Sequence, residues 1–467
     1  MYINYLYERD DKLKKEVLIK EFSDALQEER GVLFVGAGIS KASGFKDWFE
    51  LLKTLEEDIE MEIRRDDDLT EIAQYIVNRN MGNKGRLLKV IEENFAMNSE
   101  RKINNYQRYI AQTNVHTIWT TNYDVMLEKS FDGAVKVKRS DDDLLPSYSS
   151  RDEVEIIKMH GCIESSTPDN IVITKEDYED YALKHPLTIE RLKSDLINKS
   201  FLFIGYSYRD PNIQNIMNEV RQLCKKKTTP HYMILEEEDD EHLKQLQSLW
   251  CNDLLRYGIN TVIYRNREYS ELEDILKKIS IRSKGKTIYV TGSHHNNYNS
   301  NMAKELGIKL AEIEEVTLIN GQSEGIGKDV LQSFMEYGIN NKMDIYNRLK
   351  IYPNPYANIK MDNKEEYLGE LKKFRTPLIK NTQIVVMFDG GKGTEVEYQL
   401  ALEMGSIVLP IIDKAERKRA LSMALENERI IQEIEYYDKS YAEKLKNKDK
   451  IDIEDVVECI KKIMEIV

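Results

Sequence analysis

The stretch GVLFVGAGIS, residues 31 to 40, constrains the fold of this chain more than any other. An apolar run breaks into Gly36-Ala37-Gly38 and then Ser40, which reads as a buried strand meeting a glycine turn and a helix start. Glycines let the backbone come close to a pyrophosphate, and N–H groups of the turn and first helical residues can point at the anion. The same pattern also serves as a plain tight connection, so its meaning depends on what the rest of the chain does.

The strand-to-loop pattern recurs. Residues 12 to 28 carry Leu13, Val17, Leu18, Phe22, Ala25 and Leu26 at helical spacing and precede the first strand as an amphipathic helix. After Ser40 a turn leads into a helix with Trp48, Leu51, Leu52 and Leu55 on one face, and residues 70 to 95 continue helical. VHTIWT, 115 to 120, returns to β-rich apolar sequence and runs into TTNYD, 120 to 124, with a helix expected from about Asp124. Asp124 fits a helix N-cap or a ligand contact; Asn122 has no such simple structural reading. VEIIKMHG, 154 to 161, ends a strand in His160-Gly161, where an imidazole can act near neutral pH as a base or hydroxyl orienter. SFLFIGYSYRDPN, 200 to 212, runs from a strand into Gly205, Ser207 and Asp210-Pro211.

In this order GAGIS, TTNYD, MHG and FIGYSYRDPN resemble the Sir2 family of NAD-consuming enzymes, over residues 30 to 215. The resemblance implies that Gly36, Ala37, Gly38 and Ser40 hold the NAD+ pyrophosphate, with Asp124, Gly205 and Ser207 among the NAD+ contacts. It also implies that Asn122 lies by the nicotinamide ribose and that His160 contacts or deprotonates ribose hydroxyls. A typical deacylase carries a G-I-P-D-F-R run where this chain has SGFKDW, 43 to 48, and also a four-cysteine zinc module. Here Cys162, Cys224, Cys251 and Cys459 lie far apart, so no zinc ribbon can be drawn and no metal is expected.

Beyond residue 215, HYMILEEE, a helix at 238 to 250, NTVIYR and a helix near 270 to 280 close a first domain, and RSKGK, 282 to 286, reads as a polar linker. Three further strand, glycine loop and helix units follow: KTIYVTGS with Gly292 and Ser293, VTLINGQSEGIGKDVL with Gly321, Gly325 and Gly327, and QIVVMFDGGKGTEVEYQLAL. The last holds Gly390, Gly391, Gly393, Thr394, Glu395 and Glu397, while LKIYPNP and IVLPII are additional strand candidates. GGKGTEVE resembles the P-G-G-x-G-T-x-x-E signature of the LOG nucleotide-processing family, and TGS with NGQSEGIG fits the wider SLOG group; Asp389 stands where the proline usually does. The expected fold class is α/β, two doubly wound Rossmann-like parallel-sheet domains in tandem, over residues 1–283 and 284–467.

A Sir2-like domain followed by a SLOG domain is similar to the NAD-hydrolysing effectors of the bacterial Thoeris anti-phage system. That resemblance implies an NAD+ glycohydrolase that assembles as a homotetramer and responds to a cyclic ADP-ribose isomer made by a TIR-domain partner protein. Arg375, in KKFRTPLIKN, would meet the signal's phosphates and Glu397 its ribose or base, with Gly292, Ser293, Gly321, Gly325, Gly391, Gly393 and Thr394 supplying the loops. Two other readings stand beside it: a Sir2-type deacylase or ADP-ribosyltransferase, and a nucleotide sensor without catalysis. The net charge of −14 argues against a broad nucleic-acid surface. No apolar run approaches the roughly 20 residues of a membrane span, and MYINYLYERDDKLKK lacks the apolar core of a signal peptide, so a cytoplasmic location away from the membrane is expected.

Overall fold

The computed structural model describes the chain except for residues 1, 66, 96–100, 132–134, 146–152, 165–169, 207–209, 225–228, 266–269, 294–296, 323, 353–363, 414–418 and 467. The chain divides into two compact units, Met1–Ile279 and Ser280–Val467.

In the first unit, β1 (Gly31–Val35), β2 (Thr117–Thr120), β3 (Val135–Lys138), β4 (Val154–Lys158), β5 (Ser200–Ile204), β6 (His231–Glu236) and β7 (Ile259–Tyr264) form one parallel sheet in the order β3-β4-β2-β1-β5-β6-β7. The alternation along β1 explains its continuous apolar sequence. Leu33 and Val35 pack into one layer with Leu18, Phe22 and Leu26 of the helix Tyr2–Gln27. Val32 and Phe34 enter the opposite layer with Leu192 and Leu196 of the helix Pro186–Asn198 and Ile213 and Met217 of the helix Pro211–Cys224. A strand buried on both faces needs apolar residues at every position. A third cluster joins Phe45, Leu51, Leu52, Leu55, Ile72, Ile76 and Phe95 to Tyr123 and Met126 beyond β2 and Ile171 and Ile173 beyond β4. A helical insert thus covers two of the loops at the carboxyl end of the sheet.

The second unit carries β8 (Thr287–Thr291), β9 (Thr317–Asn320), β10 (Leu349–Ile351), β11 (Ile384–Met387) and β12 (Ile407–Pro410), all parallel, in the order β10-β9-β8-β11-β12. Both units are therefore doubly wound α/β folds. In each, the chain runs to one side of a central strand, β1 or β8, and later returns to its other side, β5 or β11. Ligands of such sheets bind outside the carboxyl ends of the strands at that reversal.

Several expected elements are redrawn. The first helix begins at Tyr2, well before residue 12. The stretch from 70 to 95 is two helices, Leu69–Arg79 and Gly85–Phe95, parted where Met81 and Gly82 take positive φ. The helix after TTNYD starts at Met126, and the one expected at 238 to 250 runs over Glu241–Leu254. Within 282–286, read as a polar linker, Ser283 and Lys284 are buried, and the Lys284 ammonium donates to Met404 O. The end of LKIYPNP lies outside the described residues. Sequence reading did not find β3 or the closing helices Glu428–Tyr437, Lys439–Asn447 and Ile453–Ile466.

Candidate functional site

At the carboxyl end of β1, Gly36 and Gly38 press against the loop that leaves β5. Their N–H groups donate to Ile204 O and Gly205 O, both at 2.9 Å. A Cβ on Gly36 would lie 2.3 Å from Gly205 O, and one on Gly38 would lie 2.9 Å from Gly205 Cα. Gly205 itself has φ +63, where glycine is favoured. In this arrangement the two glycines serve the contact between loops, and their N–H groups are engaged by the carbonyls at and just beyond the end of β5. Ala37 and Ser40 fall on the short helix Ala37–Lys41 that follows. Ser207 lies outside the described residues.

Ser40, Asn122 and Asp124 form one buried network. Asn122 Nδ2 donates to Gly36 O at 3.1 Å and to Ser40 Oγ at 2.9 Å, and Ser40 Oγ donates to Asp124 Oδ2 at 2.6 Å. The other carboxylate oxygen, Asp124 Oδ1, accepts from Met126 N at 3.0 Å, so Asp124 ties down the turn before the helix Met126–Ser130, whose N-cap position is Val125, and holds Ser40 at once. Below it, the fully buried Lys158 ammonium donates to Asp124 O and to Glu128 Oε1. Burial alone would lower the Lys158 pKa, but Glu128 and Asp124 outweigh it and hold the ammonium above its ordinary range. Thr120 Oγ1 accepts from Asn122 N at 3.1 Å and donates to Val35 O at 2.7 Å, which ties the loop to β1. Asn122 Oδ1 is buried with no hydrogen-bond partner among the described residues.

His160 stands one strand over, since β2 and β4 pair with Thr120 opposite Lys158. Gly161, at φ +88, turns the chain away, and His160 O accepts from Val172 N at 3.1 Å. His160 is 4% exposed, with the Tyr178 ring nearly perpendicular to it at 5.3 Å between centroids. Its Nε2 lies 3.0 Å from Asp210 Oδ2, close enough for an ion pair but out of line for a hydrogen bond, and neither atom has another partner among the described residues. Burial, reinforced by the Asp210 charge, pushes the Tyr178 and Tyr181 phenols far above their ordinary range, so both are neutral. Asp210 and Asn212, whose Nδ2 is buried without a partner, were not singled out from sequence as site residues. The signal for them was Asp-Pro-Asn directly beyond a strand. A cavity of about 650 Å³ opens beside this arrangement, lined by Asn83, Lys84, Asn170, Val172, Asp177 and His185. It meets the His160 loop through Val172 but does not take in Asn122 or His160.

In the second unit the predicted residues also converge. Arg375, expected to meet the signal's phosphates, is 4% exposed on the helix Lys364–Lys380 and pairs with the buried Glu397. Tyr289 hydroxyl donates to Glu397 Oε1 at 3.0 Å and accepts from Arg375, while Thr291 hydroxyl donates to Glu397 Oε2. A Cβ on Gly321 would lie 3.6 Å from Arg375 Nη1, which puts the β9 loop beside the guanidinium. Asp389 Oδ1 accepts from Gly390 N at 2.7 Å and Leu421 N at 3.3 Å, and Ser293 Oγ accepts from Gly391 N at 3.2 Å. Thr394 is buried on the helix Lys392–Glu403, whereas a Cβ on Gly391 or Gly393 would meet nothing within 4 Å. Gly292 and Gly325 take φ +147 and +85 at the ends of their loops. Tyr289 and Thr291, the polar residues of an otherwise apolar strand, are the members sequence reading missed. Among the described residues, no group of three or more His, Cys, Asp or Glu is placed to hold a metal ion.

Two family profiles match separate stretches of the chain. A SIR2-like domain profile matches residues 116–256, and the Sir2- and TIR-associating SLOG family profile matches residues 271–467. The chain is 30% identical to the NAD(+) hydrolase ThsA of Bacillus cereus (strain MSX-D12), covering 85% of this chain and 86% of that protein. It is 31% identical to the NAD(+) hydrolase ThsA of Enterococcus faecium over 97% of this chain and 98% of the relative. The protein of the same name from Cytobacillus dafuensis is 33% identical over 85% of each.

Proposed function

The chain belongs to the ThsA family of NAD(+) hydrolases, the effectors of Thoeris anti-phage defence, and from that membership we propose how its two units divide the work. Residues 1–283 cleave NAD+ to nicotinamide and ADP-ribose, and residues 284–467 release that activity when a cyclic ADP-ribose isomer made by a TIR-domain partner binds them. The protein acts in the cytoplasm as a homotetramer.

The observation that supports the catalytic reading most strongly is the pair of unspent polar atoms, Asn122 Oδ1 and His160 Nε2, buried at the ends of adjacent parallel strands. A buried polar atom without a partner costs about 1–3 kcal/mol, so a site that keeps several is built for something to arrive. In NAD+ cleavage the bond from ribose C1′ to nicotinamide breaks with its electron pair leaving on nicotinamide. Oxocarbenium character then grows on the ribose, and a water oxygen bonds to C1′ as its proton is lost. Asn122 Oδ1 accepts from that water or from a ribose hydroxyl, held at a fixed angle by the Gly36 and Ser40 bonds. His160 polarises the ribose hydroxyls or takes the proton. Ala37, Ser40 and the loop that begins at Gly205 and includes Ser207 bound the pyrophosphate side, with Gly36 and Gly38 holding the loops together.

For the signal, Arg375 keeps one buried donor, Nε, without a partner among the described residues, while its Nη1 edge is held by Glu397 and Tyr289. We assign that remaining capacity to the signal's phosphates, with Glu397 toward ribose or base and Gly292, Ser293, Gly321, Gly325, Gly391, Gly393 and Thr394 forming the loops around it. Gating requires the signal to bind the active arrangement more tightly than the resting one, since equal affinity would shift nothing. Incubating the purified chain with NAD+ and an acetyl-lysine peptide tests the reaction class. The proposal expects free ADP-ribose and nicotinamide with the peptide unchanged. Removal of acetyl in step with nicotinamide release would replace hydrolysis by deacylation.

A further inference from the structure

We propose that Asp210 is the positioning residue of His160, fixing the imidazole and supplying the negative charge against which the ring takes up a proton during turnover. The inference rests on the NAD+-cleaving reading of the site and adds a residue to it. Asp210 divides its two oxygens between two tasks. Oδ1 accepts from Asn212 N at 2.9 Å and Ile213 N at 3.4 Å, capping the helix Pro211–Cys224, whose first residue is a proline with no N–H to satisfy. Oδ2 takes no part in the cap and lies 3.0 Å from His160 Nε2.

A helix cap alone needs one oxygen and a short side chain, which serine, threonine or asparagine also supplies. It gives no reason to bury a second, charged oxygen against an imidazole. Side chains of both residues are 5% exposed, so the carboxylate meets the imidazole with little water between them. The other groups facing the ring are uncharged or directed elsewhere: Tyr178 and Tyr181 are neutral phenols at 5.3 and 6.2 Å, Tyr181 hydroxyl donates to Met159 O, and His185 lies 4.0 Å from Asp141. The Nε2 to Oδ2 contact is short enough for a hydrogen bond to form with a small turn of either side chain, as catalytic hydrogen bonds tighten when the reacting complex forms. Placing Asp210 at the N-terminus of a 14-residue helix, bonded to two of its N–H groups, gives the carboxylate a rigid base from which to hold the ring.

The test compares wild type, Asp210→Asn, His160→Ala and the double variant as full chains, with NAD+ and added cyclic ADP-ribose isomer, following nicotinamide release. Asp210→Asn keeps the capping oxygen and the volume but not the charge, and Asp210→Ser serves as a second variant that also caps. The expected result is a thermal midpoint close to wild type, a kcat lower by about tenfold or more, and a KM within about threefold. In the His160→Ala background the same substitution should change the rate by less than about twofold, because a residue acting through His160 has nothing left to position. Wild-type kcat in Asp210→Asn, or an equal loss with and without His160, overturns the proposal. If wild type itself releases no nicotinamide, the reading of the whole site fails, and the two failures are thereby told apart.

Discussion

Replacing Asn122 by alanine separates catalysis from folding in this chain. The substitution removes the Nδ2 bonds to Gly36 O and Ser40 Oγ, at 3.1 and 2.9 Å, while Ser40 keeps its bond to Asp124. Two neutral buried hydrogen bonds contribute roughly 1 kcal/mol each, and the uncovered Gly36 carbonyl adds some desolvation cost, giving a loss of about 2–3 kcal/mol. Even from the low end of domain stability, about 5 kcal/mol, this leaves no more than a few per cent unfolded at 25 °C. Unfolding therefore cannot account for a large loss of rate. Losing the group that orients water or ribose should lower kcat by about a hundredfold or more. The assay is nicotinamide release by chromatography, paired with a thermal scan expected to show a drop of about 4–10 °C. A variant that shows the thermal shift but turns over within threefold of wild type would refute the role given to Asn122.

Gly393→Ala places a methyl in open space, so the helix Lys392–Glu403 should keep or gain stability, up to about 1 kcal/mol, while the signal concentration for half-activation rises; an unchanged activation midpoint counts against this loop facing the ligand. Arg375→Ala should raise that midpoint about ten- to a hundredfold. It also leaves the Glu397 charge buried without its partner, costing about 3–5 kcal/mol, so Arg375→Ala with Glu397→Gln should melt higher than Arg375→Ala alone in calorimetry. Burial holds the Lys284 ammonium down to about 7, against an ordinary 10.5, so between those pH values the unfolded chain binds more protons and stability rises with pH. Lys284→Met should remove that contribution, on the order of 1.4 kcal/mol per pH unit. Urea midpoints at pH 7 and pH 9 that rise equally in wild type and variant would contradict it.

The sheets were legible because β1, β5, β8 and β11 are buried on both faces and hence largely apolar, and because each leads into a loop that carries glycine. β3 was not, since VKVK is a half-buried edge strand with too little apolar sequence to stand out. The site was legible as residue types at strand ends, Asn122, Asp124 and His160, but not as a network. That Asp124 holds Ser40 comes from an 84-residue separation that no local pattern encodes. The glycines of GAGIS were read as donors to an anion. Their geometry instead reflects the proximity of β5, a neighbour in space brought in from far along the chain. Helical spacing around Arg375 cannot reveal that Tyr289 and Glu397 lie against its guanidinium.

The central claim, that one unit cleaves NAD+ under control of the other, is tested most directly by titrating the purified full chain with a cyclic ADP-ribose isomer at fixed NAD+ and recording nicotinamide release. The account predicts little release without the isomer, a saturable rise with it, equal amounts of nicotinamide and ADP-ribose, and a rise shifted to higher concentration in Arg375→Ala with Glu397→Gln. Release that is undetectable with every isomer, or equally fast with none present and unaffected by the double substitution, would contradict it.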